Sequence, residues 1–333
     1  MKTRKLTVLT EGGRLYGFGH LTRCLSITNC FRESGLTIDY IIDGDDTVST
    51  IIEDQSFTLM DWLENTALFS KLKDSSFILI DSLRITRKQI KNLQNLDLEI
   101  IYIDDYKREN FLERGFIIDW TILADEKEFF FPEKEGITYL LGSQYTPIRE
   151  PFKINQSKDM SDKINSIFVS FGGSDVRNMT PLVLETLAKH FPDLRKDIVI
   201  GAGFKNTQNI NLFKDKNTTL VRNPNAKIMS DLMINNDIAI SSGGQTLYEL
   251  ASLGVPTISI LLVENARDDT EGWSEVGAMD YIGEFNDKNL MIRLVKSLQT
   301  LDSQVKRRKM QHAAKQYIGL NGSKKIVDAI LNE

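Results

Sequence analysis

Cysteine and histidine are scarce in this sequence: two cysteines, Cys24 and Cys30, and three histidines, His20, His190 and His312, among 333 residues. Cys24 and Cys30 lie six apart in one expected helix, on different faces, so they cannot form a disulfide framework. Free thiols in a reducing compartment are the expectation. The histidines are scattered, and no His/Cys cluster has metal-ligand spacing; neither a metal nor another cofactor is expected. No apolar run approaches the roughly eighteen residues of a membrane span, and the basic start Lys2-Thr3-Arg4-Lys5 leads into strand-like sequence without a signal-type core. A cytoplasmic protein without membrane insertion is therefore expected. Basic surplus is also missing. A formal net charge of −5 argues against nucleic acid as a partner, because tracking phosphates requires a basic surface. Internal repeats and low-complexity segments are absent too.

What is present is a βα alternation. Hydrophobic residues at 41% and charged residues at 26% are ordinary for a soluble domain, and the length suits two cores better than one. Short β-rich runs between helical stretches predict parallel sheets of α/β type. Strands are expected at Leu6–Thr10, Asp39–Ile42, Phe77–Asp81 and Ile100–Asp104, the last two ending on acids where ligands of parallel sheets bind. The pattern breaks at Pro147-Ile148-Arg149-Glu150-Pro151, and a polar stretch follows from Lys153 to Lys163. This divides the chain into residues 1–150 and 151–333. The second half carries expected strands Ser166–Ser170, Asp197–Ile200, Thr219–Val221, Asp237–Ser241 and Thr257–Ile260, with helices at Thr180–His190 and Gln245–Leu253. Helices near Asp302–Tyr317 and Lys324–Leu331 close it, the last with the option of packing back on the first domain.

Three segments carry chemistry. Tyr16-Gly17-Phe18-Gly19-His20-Leu21-Thr22-Arg23-Cys24 follows the first strand and opens the first helix. Its glycines let backbone approach a ligand, and His20 can exchange a proton near neutral pH. Equally, His20 could be a capping or packing residue. Phe168-Val169-Ser170-Phe171-Gly172-Gly173-Ser174-Asp175 joins a strand to a helix, a natural phosphate cradle without the Gly-Lys-Ser/Thr ending of a P-loop. Glycine is also what a tight turn needs for backbone reasons alone. In Ser241-Ser242-Gly243-Gly244-Gln245-Thr246-Leu247-Tyr248-Glu249, a second glycine turn precedes a helix, with Glu249 about one turn in, where a carboxylate can take ribose hydroxyls. A lone glutamate there is more often solvated surface; two glycine turns in one domain favour a nucleotide. Phe129-Phe130-Phe131 reads as a buried edge or domain contact, and Lys306-Arg307-Arg308-Lys309 as a solvated helix face. Asp104 and Asp105 point to opposite faces, which disfavours a shared ion.

Taken together, Gly17-x-Gly19-His20-x-x-Arg23-Cys24, Phe171-Gly172-Gly173-Ser174-Asp175 and Ser242-Gly243-Gly244-x-Thr246-x-x-Glu249 resemble the UDP-sugar hydrolases of pseudaminic acid biosynthesis, the PseG/SpsG group, relatives of MurG. The likeness runs through Gln144-Tyr145-x-x-Ile148-Arg149-Glu150-x-Phe152 and covers nearly the whole chain. It implies a GT-B fold, two Rossmann-like domains facing across a cleft, and a nucleotide-sugar substrate. It also implies hydrolysis of UDP-2,4-diacetamido-2,4,6-trideoxy-β-L-altrose at the anomeric carbon, with His20 as the base for water. The resemblance gives the nucleotide to Gly172, Gly173, Ser174, Ser242, Gly243, Gly244, Gln245, Thr246 and Glu249, and the sugar side to Gly17, Gly19, Arg23, Asp81, Asp104 and Asn265. Three departures fall on that sugar side: Asp81-Ser82-Leu83 where the family tends to Asp-His-Tyr, Glu264-Asn265 where it tends to Asn-Gln, and Thr10-Glu11-Gly12-Gly13 in place of Arg-x-Asp. A glycosyltransferase and a non-catalytic nucleotide-sugar-binding protein therefore stand beside the hydrolase.

Overall fold

The computed structural model describes residues 4–52, 55–96, 98–106, 108–127, 134–154, 158–205 and 207–332. The Phe129–Phe131 run lies outside the described residues. The chain forms two compact units, one of Met1–Ile148 with Gly319–Glu333 and the other of Arg149–Ile318.

The first unit begins β1 (Lys5–Gly12), α1 (Gly19–Glu33), β2 (Thr37–Gly44), α2 (Ser49–Ile52), β3 (Phe57–Leu59) and α3 (Leu68–Leu72). It continues through β4 (Phe77–Asp81), α4 (Arg87–Gln94), β5 (Glu99–Ile103), β6 (Gly115–Asp119) and β7 (Ile137–Leu141). The second unit carries β8 (Ser166–Ser170), α5 (Met179–His190), β9 (Arg195–Ile200), α6 (Thr207–Leu212), β10 (Thr218–Arg222), α7 (Ala226–Ile234) and β11 (Ile238–Ser242). It ends with α8 (Gln245–Leu253), β12 (Thr257–Leu261), α9 (Arg267–Glu275), β13 (Met279–Glu284), α10 (Leu290–Leu301) and α11 (Gln304–Tyr317). The last helix, α12 (Gly322–Leu331), returns to the first unit.

Each unit is built on one parallel sheet. The first orders its strands β3-β2-β1-β4-β5-β6-β7 and the second β10-β9-β8-β11-β12-β13. Strands such as Phe77-Ile-Leu-Ile-Asp81 and Ser166-Ile-Phe-Val-Ser170 are buried at every position, the composition expected of a sheet covered on both faces. Ile78 and Ile80 join Leu9, Trp62 and Ile90 in one core, and Ile167 and Val169 join Val183, Leu187, Ile240 and Leu294 in the other. Both strand orders reverse once, between β1 and β4 and between β8 and β11, and these reversals open a crevice beyond the strand ends.

Local signals fix the helices that frame these crevices. Thr86 and Gln89 form a reciprocal capping box at the start of α4, and Asn225 Oδ1 accepts the Ile228 N–H at the start of α7. Gly254, in the left-handed conformation, ends α8 two residues before Pro256. Most expected strands appear within a residue or two of their predicted bounds. The expectation that Asp104 ends its strand is corrected: β5 stops at Ile103, because the Asp104 carboxylate turns to cap its own loop, accepting the N–H groups of Arg108 at 2.8 Å and Asn110 at 3.2 Å. The strands β3, β6, β7 and β13 add to those expected.

α12 packs on α1, where Ser26 Oγ lies 3.0 Å from Ser323 Oγ and donates to the Ile148 carbonyl at 3.1 Å. Its first residue, Gly322, lies so near the backbone of residues 145–146 that a Cβ would stand 2.1 Å from the Thr146 carbonyl oxygen. Backbone cannot give way as a flexible side chain does. Gly322→Ala should therefore lower stability by about 1–3 kcal/mol, the usual cost of overpacking, as read by urea denaturation. A midpoint equal to wild type would show that the docked helix end yields without cost.

Candidate functional site

In the first unit the chemistry gathers at the carboxyl ends of β1, β4 and β5. Asp81, the last residue of β4, is fully buried, a position that is costly for a charge unless it is paired. The Arg23 guanidinium supplies the pairing as a fork: Nε lies 2.6 Å from Asp81 Oδ2 and Nη2 2.5 Å from Oδ1. Nη1 reaches Asp105 Oδ2 at 2.6 Å, and the guanidinium lies 4.9 Å from the centre of the Trp120 ring. Three residues before Arg23, on the same face of α1, His20 Nδ1 stands 2.7 Å from Asp81 Oδ1. A proton on Nδ1 donates to the carboxylate, which leaves Nε2 with the lone pair.

The electrostatics follow from this arrangement. Burial by itself lifts the Asp81 pKa, yet Arg23 and His20 outweigh it and hold the carboxyl well below its usual range. Burial pulls the His20 pKa down, Asp81 pulls it up, and the balance lies above the ordinary histidine value. Cys24 donates towards Asp81 Oδ2 at 3.6 Å, and burial pushes its thiol well up, so it is inert. Glu11, the next-to-last residue of β1, is also buried; burial raises its pKa, and it accepts the Ser82 hydroxyl at 2.5 Å. Gly17 and Gly19 face open space, so the chain before α1 leaves room for a ligand to approach its backbone. Gly17 has a φ of 78°, a conformation that its pairing with Gly13 requires, with the two N–H···O bonds at 2.8 and 2.9 Å.

Asp104, expected on the sugar side, is spent on the loop N–H groups described above, and burial pushes it up to about 6. Its neighbour Asp105 takes the place on Arg23. Sequence reasoning passed over Asp105, Trp120, Glu11 and Ser82 as site members. The alternation of a strand end, which sends Asp104 and Asp105 to opposite sides, was the signal that could have found Asp105.

The second unit brings its two glycine turns to one end of its sheet, but they differ. At the start of α5 the Asp175 carboxylate accepts the N–H groups of both Met179 and Thr180 at 2.8 Å, so an anion already sits on that helix end. The residue before α8 is Gly244, which has no side chain to cap the helix. Gly172, Gly173 and Gly244 face open space, Gly244 with a φ of 101°. Gly243 does not: a Cβ there would stand 2.5 Å from Ala266 Cβ and 2.6 Å from Thr270 Oγ1, so this glycine lets α9 pack close. Ser174 is exposed; Ser242, Gln245 and Thr246 are half-buried beside the start of α8, and Asn265 is exposed after β12. Glu249 is not solvated surface, as a lone helical glutamate would be. It is buried, and its Oε1 receives Arg149 Nε and Nη2, both at 2.7 Å. Burial raises its pKa and Arg149 opposes that rise. Arg149 was legible in the sequence only as part of the domain-junction motif.

Among the described residues no group of three His, Cys, Asp or Glu side chains converges to hold a metal, and no helix is long and apolar enough to cross a membrane.

No protein-family model matches the chain. It is 27% identical over 275 residues to the uncharacterized protein MJ1062 of Methanocaldococcus jannaschii, covering 79% of this chain and 57% of that protein, so the chain spans little more than half of its relative's length. Among solved structures it is similar to MurG of Acinetobacter baumannii, with a TM-score of 0.69 at 13% identity over 99% of this chain and all of that one. The UDP-GlcNAc 2-epimerase of Neisseria meningitidis bound to UDP-GlcNAc gives 0.64 at 16% identity, covering 99% and 100%. Anabaena HepE in complex with UDP and glucose gives 0.62 at 12% identity, with the same coverage. The fold is thus GT-B, two parallel-sheet α/β domains of the MurG kind.

The geometry around Asp81 can be tested on the folded protein. In Asp81→Asn the main force raising the His20 pKa is gone while burial and Arg23 still lower it, so the His20 titration, followed by NMR of the imidazole, should move to lower pH. Breaking a buried pair costs about 3–5 kcal/mol. Because the folded pKa of Asp81 is depressed, the carboxylate's own share of the stability deficit should be full above about pH 4, the unfolded value. It should shrink as pH falls below that. A deficit independent of pH, or an unmoved histidine, would show that Asp81 does not hold the charge of this site.

Proposed function

We propose that the protein transfers a sugar from a nucleotide sugar to a hydroxyl nucleophile, with His20 as the base. The observation that carries this reading is the His20–Asp81 pair: a buried carboxylate fixes Nδ1 and leaves Nε2 to take a proton, at the crevice of a parallel sheet in a GT-B fold. As the nucleophile's oxygen bonds the anomeric carbon, its proton passes to Nε2, and the bond to the phosphate oxygen breaks with its electron pair leaving on the nucleotide. Asp81 stabilises the imidazolium so formed.

We assign the nucleotide to the second unit. The start of α8, with Ser242, Gly244, Gln245 and Thr246, meets the negative charge of the diphosphate, and Gly172, Gly173 and Ser174 lie across the sheet reversal from it. Glu249, held by Arg149, takes the ribose. Uridine is the base of this proposal because similar folds are known with UDP-GlcNAc and with UDP bound. Gly17, Gly19, Arg23 and Asp81 serve the sugar side, with Arg23 acting through Asp81.

A second reading has water as the nucleophile, giving a hydrolase of the pseudaminic acid type. It is favoured by the Gly17-x-Gly19-His20-x-x-Arg23-Cys24 motif and its two companions in the second half of the chain.

UDP should raise the melting temperature, and Glu249→Ala should weaken UDP binding by about 1–3 kcal/mol. His20→Ala and His20→Asn should retain UDP affinity yet release UDP from a UDP-sugar substrate about 10²–10⁴-fold more slowly, the usual contribution of a positioned base. Turnover near the wild-type level in both histidine variants would make His20 structural. UDP release that needs an added hydroxyl compound supports transfer; release at full rate in buffer supports hydrolysis.

A further inference from the structure

Two consecutive residues at the end of β4 each hold one proton-carrying group. Asp81, the last residue of β4, holds His20, and Ser82, the residue after it, holds Glu11. The Ser82 oxygen accepts the N–H groups of Arg84 at 3.1 Å and Ile85 at 3.2 Å, so its own proton goes to Glu11 Oε1, 2.5 Å away. Glu11 is 3% exposed, and its second oxygen, Oε2, receives no hydrogen bond from any described residue. The groups that act on it electrostatically, His20, Asp81 and Arg84, all stand at the same crevice, where the strand order reverses between β1 and β4.

A water molecule attacking through His20 needs no second handle. A polyhydroxyl molecule does, since only one of its hydroxyls can be the nucleophile and the others must fix its orientation. We propose that the nucleophile is one hydroxyl of a sugar acceptor and that Glu11 Oε2 grips a neighbouring hydroxyl of the same molecule. This rests on His20 being the base. A hydroxyl both donates and accepts, so it suits this carboxyl in either protonation state; an ammonium or a carbonyl would suit only one. Glu11 exchanges no proton in the reaction; the acceptor's proton goes to His20 alone.

The test uses the full-length protein with labelled histidine, the His20 ring signal being identified by its loss in His20→Asn. Titration with glucose or N-acetylglucosamine should shift that signal saturably, whereas ethanol, with one hydroxyl, should not. Glu11→Gln keeps the bond to Ser82, and Glu11→Ala removes the carboxyl altogether. Glu11→Ala should weaken the sugar response by about tenfold or more, as expected for a lost hydrogen bond, and Glu11→Gln, whose amide can still bond a hydroxyl, should weaken it less, with UDP affinity unchanged as the check on folding. In UDP-release assays with UDP-glucose or UDP-N-acetylglucosamine, the same variants should raise the acceptor KM more than they lower kcat. Absence of any shift with both sugars, or equal shifts in wild type and both Glu11 variants, overturns the assignment. Unimpaired UDP release by His20→Asn would instead overturn the base, while the sugar response of the Glu11 variants would still stand or fall separately.

Discussion

Asp81 is a full negative charge placed where water does not reach, and the first unit is organised around the means of keeping it there. Arg23 answers it with a fork, and Arg23 is in turn held by Asp105 and stacked near Trp120. These contacts come from the ends of β4 and β5, from the loop after β6, and from one helix, α1, which fixes how α1 lies on the sheet. His20 inherits its orientation from that arrangement. The tautomer that leaves Nε2 open therefore depends on a chain of buried contacts, and the cost of disturbing any link is shared by the fold and by the site.

The second unit handles charge differently. It keeps its glycine turns short and distinguishes them by what covers the following helix. Asp175 neutralises the start of α5, whereas α8 is preceded by Gly244, which has no side chain. Two segments that look alike in sequence thus differ: one places a carboxylate on the helix start, and the other places a glycine there. Gly243 and Gly244, adjacent and chemically identical, divide the labour in the same way, one admitting α9 and the other facing open space.

Much of this architecture could be read from the sequence, because strands buried on both faces write themselves as unbroken β-branched runs. Phe77–Asp81, Ser166–Ser170 and α8 fall at their expected bounds. The additional strands lie mostly where that signal thins: β3 has three residues, β7 is half-buried, and β13 carries Gly283 and is mostly half-buried. β6 is an exception, since Phe116-Ile117-Ile118 is a buried apolar run that sequence reasoning could have used. Within the site, His20 and the glycine turns were visible as motifs. Partnerships were not, because Asp81–Arg23, Glu11–Ser82 and Arg149–Glu249 join residues 58, 71 and 100 positions apart. Only the fold makes such residues neighbours.

The return of α12 to the first unit also bears on how the protein is made. The flank of α1 that α12 covers is synthesised early, but its cover follows only after all of Arg149–Ile318 has been translated. At usual ribosomal rates that interval is on the order of ten seconds or more. Throughout it the nascent first unit holds its sheet without its final helix, and the apolar residues Ile326, Val327 and Ile330 that will seal it do not yet exist. A chaperone that shields α1 during translation would act on a surface that the first unit closes only after the second has been made.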